Sequence, residues 1–95
     1  MIMSGIGLVV RDIRKLRKLT QAELAVRCGV SSSYVSTIEV GRQLPTLTVM
    51  EKLADGLAVP LPILSFLSLD AELIPVDKQM LFAYVRKEVE GIFLK

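Results

Sequence analysis

The sequence is 95 residues long and carries 12 lysine and arginine residues against 10 acidic ones, a net charge of +2. It contains one cysteine and no histidine, so it can form no internal disulfide, no zinc site of the usual kind and no nucleophile–histidine pair. It also shows no carboxylate pair and no glycine-rich phosphate loop. We therefore expect no enzymatic activity, no metal and no cofactor. Cys28 falls at a core position of a predicted helix and is interpreted as a small buried hydrophobe, with a redox switch as the alternative.

Apolar residues make up 52% of the chain, more than a domain of this size can bury within itself. The longest weakly polar run, residues 56–69, is broken by Pro60 and Pro62 and is too short to span a bilayer. No cationic leader precedes the first apolar residues, and Arg11 and Asp12 come too early for a signal peptide. We expect a cytoplasmic protein that binds no membrane. Its surplus apolar surface indicates a protein partner, most simply a second copy.

The first predicted helix covers residues 7–18, and residues 1–6 are expected to be loose. Val9, Ile13 and Leu16 recur at helical spacing, which predicts that they form the face of this helix that packs into the core.

The second predicted helix covers residues 21–28. Thr20 and Glu23 have the spacing of a capping box, in which each side chain satisfies a free backbone N–H of the first turn. Gly29 ends the helix, because glycine adopts the left-handed turn conformation most readily. Ala25 has a small side chain at the point where two helices crossing at a steep angle would come closest.

A third helix is predicted over residues 32–40, with Ser31 as its N-cap. Val35 and Ile38 lie three residues apart and would face the core. The opposite face is rich in hydroxyls. It carries Ser32, Ser33, Ser36 and Thr37.

Two further helices follow. Thr46 caps the fourth, which we expect to end early at Gly56, because an interior glycine costs about 1 kcal/mol relative to alanine. The fifth covers residues 61–67, with Pro62 in its first turn, where proline is tolerated.

A connector over residues 68–76 leads to a sixth helix that begins near Asp77. This last helix has a wide apolar stripe. The stripe comprises Leu81, Tyr84, Val85, Val89, Ile92 and Phe93.

Many residues of the first two thirds of the chain stand at the fixed spacing of one known pattern. They are Arg14, Thr20, Gln21, Leu24, Ala25, Gly29, Val30, Ser31, Tyr34, Val35, Ser36, Ile38, Glu39, Gly41 and Pro45. With these residues, positions 9–67 resemble the phage repressor/Cro class, the xenobiotic-response-element-like family of helix-turn-helix regulators. The resemblance implies an all-α fold: a five-helix repressor-like DNA-binding domain over residues 7–68, followed by a connector and sixth helix over residues 69–95.

The charge distribution agrees with a DNA-binding first half. Residues 1–50 carry seven lysines and arginines against three acids, whereas residues 51–95 carry five against seven. Phosphate contacts require a positive surface of this kind. The alternative is ordinary surface scatter.

The resemblance also assigns roles on the DNA. It implies that Ser32, Ser33 and Thr37 face base edges. Because short hydroxyls discriminate bases poorly, part of the specificity is expected to come through water and DNA shape. The expected phosphate contacts are Gln21, Tyr34, Ser36, Arg42 and Gln43.

Arg14 and Glu39 correspond to a pair that joins helix 1 to the end of helix 3 in similar proteins. We expect the same ion pair here, with an architectural role. It would aim the third helix, the recognition helix that the resemblance places in the major groove of DNA.

The sequence thus predicts a DNA-binding transcriptional regulator, a repressor that acts as a homodimer on a pseudo-palindromic operator. The apolar stripe of the sixth helix is the expected dimerisation element. The alternative is that this helix folds back on helix 5. Two other functions remain open. One is a restriction–modification controller protein; the other is an antitoxin whose C-terminal segment binds a toxin.

Overall fold

The computed structural model describes residues 5–94, and the described part of the chain is helical, without a strand. The all-α fold class is confirmed. The six α-helices are α1 (Ile6–Leu16), α2 (Gln21–Cys28), α3 (Ser32–Glu39), α4 (Leu47–Leu57), α5 (Leu61–Leu67) and α6 (Gln79–Phe93), with short 3₁₀ turns at Ala71–Leu73 and Val76–Lys78. None of these helices is both long and apolar enough to cross a membrane.

The helices surround one hydrophobic core to which α1 to α5 each contribute. Its side chains are almost fully removed from water, which is the main favourable term in folding. The largest of them are Ile6, Ile13, Leu24, Ile38, Leu53, Leu57, Leu64 and Leu67.

The structure corrects the predicted limits and the predicted core face of α1. The helix begins at Ile6, which is buried, whereas residues 1–4 lie outside the described residues. Leu16 is exposed, and Val10 lies in the core beside Ile13. One turn after Ile13, the residue that faces the protein is therefore residue 17 and not residue 16. Arg17 caps the helix there, and its guanidinium donates to the backbone oxygens of Leu57 and Phe93.

The predicted ends of α2 are confirmed. The Thr20 hydroxyl accepts from the Glu23 N–H at 3.0 Å, and the Glu23 carboxylate accepts from the Thr20 N–H at 3.0 Å. These hydrogen bonds hold the pKa of Glu23 below its ordinary value. Gly29 ends the helix with a φ of 67°, in the left-handed region that favours glycine.

The expectation that α4 ends early at Gly56 is wrong. The helix continues through Gly56 to Leu57, and Ala58 takes the left-handed cap with a φ of 58°. A Cβ at Gly56 would lie 2.7 Å from the Cys28 sulfur and 3.1 Å from a methyl of Leu24. Glycine is therefore needed at this position for close packing of α4 on α2, which outweighs its lower helix propensity.

The last helix folds back over the protomer. One side of α6 packs on α5 and the core: the rings of Phe82 and Phe66 have centroids 5.2 Å apart, and Val89 and Leu94 contact buried residues. A 3₁₀ turn at Val76–Lys78 precedes the helix, so its α-helical part begins two residues after the predicted start. The other side of α6 faces solvent.

Candidate nucleic-acid interface

Helices α2 and α3 form the helix-turn-helix unit, and the turn between them is short. Ser31 starts α3 by accepting a hydrogen bond from the Tyr34 N–H at 3.1 Å. Val35 and Ile38 are fully buried on the inner side of α3. Because these two residues fix which side faces inward, the hydroxyl-rich side is left at the surface.

The predicted base-contact residues share this outer face. Ser32 and Ser33 are exposed in the first turn of α3, and Thr37 is half-buried one turn later. The Thr37 hydroxyl donates to the backbone oxygen of Ser33 at 2.8 Å. The hydroxyls of Ser32 and Ser33 make no hydrogen bond to another described residue. They therefore remain able to donate or accept toward a ligand.

Arg14 and Glu39 form the predicted ion pair between α1 and the end of α3. The guanidinium donates two hydrogen bonds to the carboxylate, from Nε to Oε2 at 2.7 Å and from Nη2 to Oε1 at 3.0 Å. Its third nitrogen donates to the Leu19 backbone oxygen at 2.8 Å. The side chains of Arg14 and Glu39 are only 11% and 3% exposed. Hydrogen bonding to Glu39 raises the pKa of Arg14, so the guanidinium stays charged in the folded protein.

Gln21 joins this pair. Its side-chain nitrogen donates to Oε1 of Glu39 at 3.1 Å. Gln21 lies in the first turn of α2, where backbone N–H groups favour an anion, and its amide nitrogen has a second hydrogen that this bond does not use. The sequence predicted a phosphate contact for Gln21, and the structure adds a second role, because Gln21 links the start of α2 to the end of α3.

Gly7 is a positioning residue that the sequence analysis missed. A Cβ at Gly7 would overlap the carbonyl oxygen of Ile38 and press on the backbone of Glu39. Only glycine lets α1 approach α3 this closely. The sequence offered little signal, because Gly7 stood at the first position of the predicted helix, whereas the observed helix begins at Ile6 and places Gly7 inside it.

The other predicted phosphate contacts surround α3. Arg42 and Gln43 are exposed in the loop that follows the helix. The Tyr34 ring packs partly against the core, and Ser36 is half-buried. Arg42 is the one cation among these four residues, and its guanidinium makes no hydrogen bond to another described residue.

Cys28 is buried between α2 and α4, and burial raises the pKa of its thiol. The reactive thiolate is therefore disfavoured, which supports the interpretation of Cys28 as a core residue. Residues 5–94 contain no group of three or more histidine, cysteine or acidic side chains that could hold a metal ion.

The buried pair gives a testable prediction. Arg14→Met leaves the Glu39 carboxylate buried with Gln21 as its remaining side-chain donor, so the free energy of unfolding should fall by about 3 kcal/mol. Arg86→Met is the matched control, because it removes the half-exposed Arg86–Glu90 pair of α6 and should cost less than about 1 kcal/mol. Urea unfolding of both variants measures the difference. Equal losses in the two variants would contradict the structural role of Arg14.

The helix-turn-helix family model matches residues 10–64. The immunity repressor protein of Bacillus phage phi105 is 41% identical over 54 residues, which are 57% of this chain and 38% of that protein. The transcriptional repressor RghR of Bacillus subtilis is 39% identical over 59 residues, 61% of this chain and 44% of that protein. The chain therefore spans less than half the length of these two relatives.

Solved structures show the same fold. The wild-type restriction-modification controller protein C.Esp1396I superposes with a TM-score of 0.64 at 24% identity, covering 83% of this chain and 92% of that one. A tyrosine-to-alanine mutant of the same controller protein superposes with a TM-score of 0.67, covering 75% of this chain and 92% of that one. Because the family model matches more than half of the sequence, the chain belongs to the helix-turn-helix family, in its phage-repressor-like class.

Proposed function

We propose that this protein is a sequence-specific DNA-binding regulator that represses transcription as a homodimer on a pseudo-palindromic operator. The observation that carries the proposal is the exposed hydroxyl face of α3. The buried Arg14–Glu39 pair joins the end of this helix to α1. Two relatives described as repressors support the sign of regulation. Repression would follow from occupancy, because a bound dimer excludes polymerase from the same DNA.

The proposed binding mode places α3 in the major groove, with α2 crossing the backbone above it. Ser32 and Ser33 lie in the first turn of α3, the part of a recognition helix that reaches base edges. Arg42, exposed after α3, would neutralise a phosphate. Phosphate contacts position the protein, and base contacts specify the sequence.

This division of roles predicts different salt dependences. Arg42→Ala should weaken binding to every duplex alike and reduce the slope of log K against log salt by about 1, because one fewer counterion is released. Ser33→Ala carries no charge change, so its slope should stay unchanged while its preferred base shifts. Competition titrations at several salt concentrations measure both quantities. The assignment fails if Ser33→Ala alters the slope or Arg42→Ala alters the base preference.

The dimer is proposed to form through the solvent side of α6. Val89 packs against the protomer's own core, and Phe93 is half-buried. The remaining residues of the predicted stripe face solvent and are between 38% and 70% exposed. They are Leu81, Tyr84, Val85 and Ile92.

A second copy of the chain is the occupant we propose for this face. A helix of 15 residues is about 22 Å long. Its apolar side can pack on its own copy across a two-fold axis, where the same patch of the two chains meets. Burying one leucine or isoleucine gains about 1.5–3 kcal/mol. A symmetric pair would also present two copies of α3 to two half-sites, whereas one chain supplies a single recognition helix.

Substitutions at exposed positions of α6 test the dimer better than truncation of the helix, because truncation would also uncover Phe66. Leu81→Glu combined with Ile92→Glu should give a folded monomer with at least about tenfold weaker operator binding, since tethered half-sites lose their effective concentration. Ala83→Glu adds charge to an exposed position of the same helix that lies about 160° around the helix axis from Leu81, outside the apolar stripe, and should leave the dimer intact. Sedimentation and DNA titration provide the readouts. A wild-type protein that remains monomeric on its operator would refute the dimer and would favour a different protein, such as a toxin, as the partner of α6.

A further inference from the structure

Thr37 differs from the serines on the same helix because its hydroxyl hydrogen is already in use. Thr37 Oγ1 donates to the Ser33 backbone oxygen at 2.8 Å, whereas the hydroxyls of Ser32 and Ser33 are unbonded within residues 5–94. A hydroxyl has one hydrogen. Toward DNA, Thr37 therefore retains only oxygen lone pairs and its γ-methyl group.

Base edges in the major groove differ in which chemical groups they present to such a side chain. Guanine presents two acceptors, N7 and O6, so it would place lone pairs against the lone pairs of the Thr37 oxygen. Thymine presents a C5-methyl group beside its O4 acceptor, and a threonine methyl can pack on it. Adenine and cytosine each present an amino donor that could reach the oxygen.

The hydrogen bond of the Thr37 hydroxyl favours thymine over adenine and cytosine. At 2.8 Å from a main-chain oxygen of its own helix, Oγ1 is held back on the helix surface, as in other threonines that bond the preceding turn. The methyl group occupies a different tetrahedral bond of Cβ, so this hydrogen bond does not hold it back. An amino group of adenine or cytosine would have to approach the helix backbone to reach the oxygen.

We propose that Thr37 is a specificity-determining residue that selects thymine through a methyl–methyl contact and rejects guanine. This inference rests on the proposed DNA-binding function. It also divides the recognition face into two parts: Ser32 and Ser33 read polar groups, and Thr37 reads an apolar one.

The test compares Thr37→Val, which keeps the methyl and removes the hydroxyl, with Thr37→Ser, which keeps the hydroxyl and removes the methyl. Valine and threonine are both β-branched and similar in helix propensity, and thermal unfolding checks that both variants fold. The wild-type protein first selects its preferred sequence from random duplex DNA. Each thymine of that sequence is then replaced singly by deoxyuridine, which lacks only the C5-methyl group.

In each half-site, replacement of one particular thymine by deoxyuridine should weaken wild-type binding about fourfold, which corresponds to the free energy of burying one methyl group. Thr37→Val should keep the same preferred base and the same sensitivity, with affinity within about twofold of wild type. Thr37→Ser should bind thymine and deoxyuridine equally at that position.

Two results would overturn the inference while leaving the DNA-binding function standing. One is a Thr37→Val protein that loses a base preference retained by Thr37→Ser, which would show that the hydroxyl reads the base. The other is a wild-type protein that selects a sequence in which no single deoxyuridine replacement weakens binding. A wild-type protein that selects no sequence at all would overturn this inference and the proposed function together.

Discussion

The contact between α1 and α3 is the constraint on which the DNA-binding face depends. The Arg14–Glu39 pair closes it with two hydrogen bonds, and Gly7 lets the two backbones meet at Ile38. A buried ion pair adds little net stability, because desolvation offsets most of the attraction, but breaking it is costly. We propose that the pair serves to hold α3 in one orientation on α1. Gln21 extends the same network to the first turn of α2, so both helices of the unit depend on Glu39.

The far end of α1 connects this unit to the C-terminal helix. The Arg17 guanidinium donates to the Leu57 carbonyl at the end of α4 and to the Phe93 carbonyl at the end of α6, both at 3.0 Å. Two helix C-termini, each with partial negative charge, therefore converge on one cation. Helix α1 thus contacts α3 through Arg14 and α6 through Arg17. The spacing of two recognition helices in the proposed dimer would follow from this connection.

Much of the fold could be predicted from local sequence chemistry. The capping residues Thr20, Ser31 and Thr46 each accept the expected backbone hydrogen bond, since a cap depends on residues only three positions away. The errors concern tertiary packing. The exposure of Leu16 and the continuation of α4 through Gly56 depend on neighbours distant in sequence. At the site, the partners of the Arg14–Glu39 pair are 25 residues apart, so the pair was predictable only by resemblance. The hydrogen bond from the Thr37 hydroxyl to Ser33 is local but was also missed, because a helical threonine has two accessible rotamers and its sequence does not select between them.

In the proposed complex, the exposed face of α3 enters the major groove in two symmetric copies. Dimethyl sulfate protection on the selected operator tests this arrangement most directly, because the reagent methylates guanine N7 in the major groove and adenine N3 in the minor groove. We expect two patches of guanine N7 protection on one side of the duplex, with centres about 34 Å apart. Protection of a single patch at saturation, or of adenine N3 alone, would contradict the arrangement.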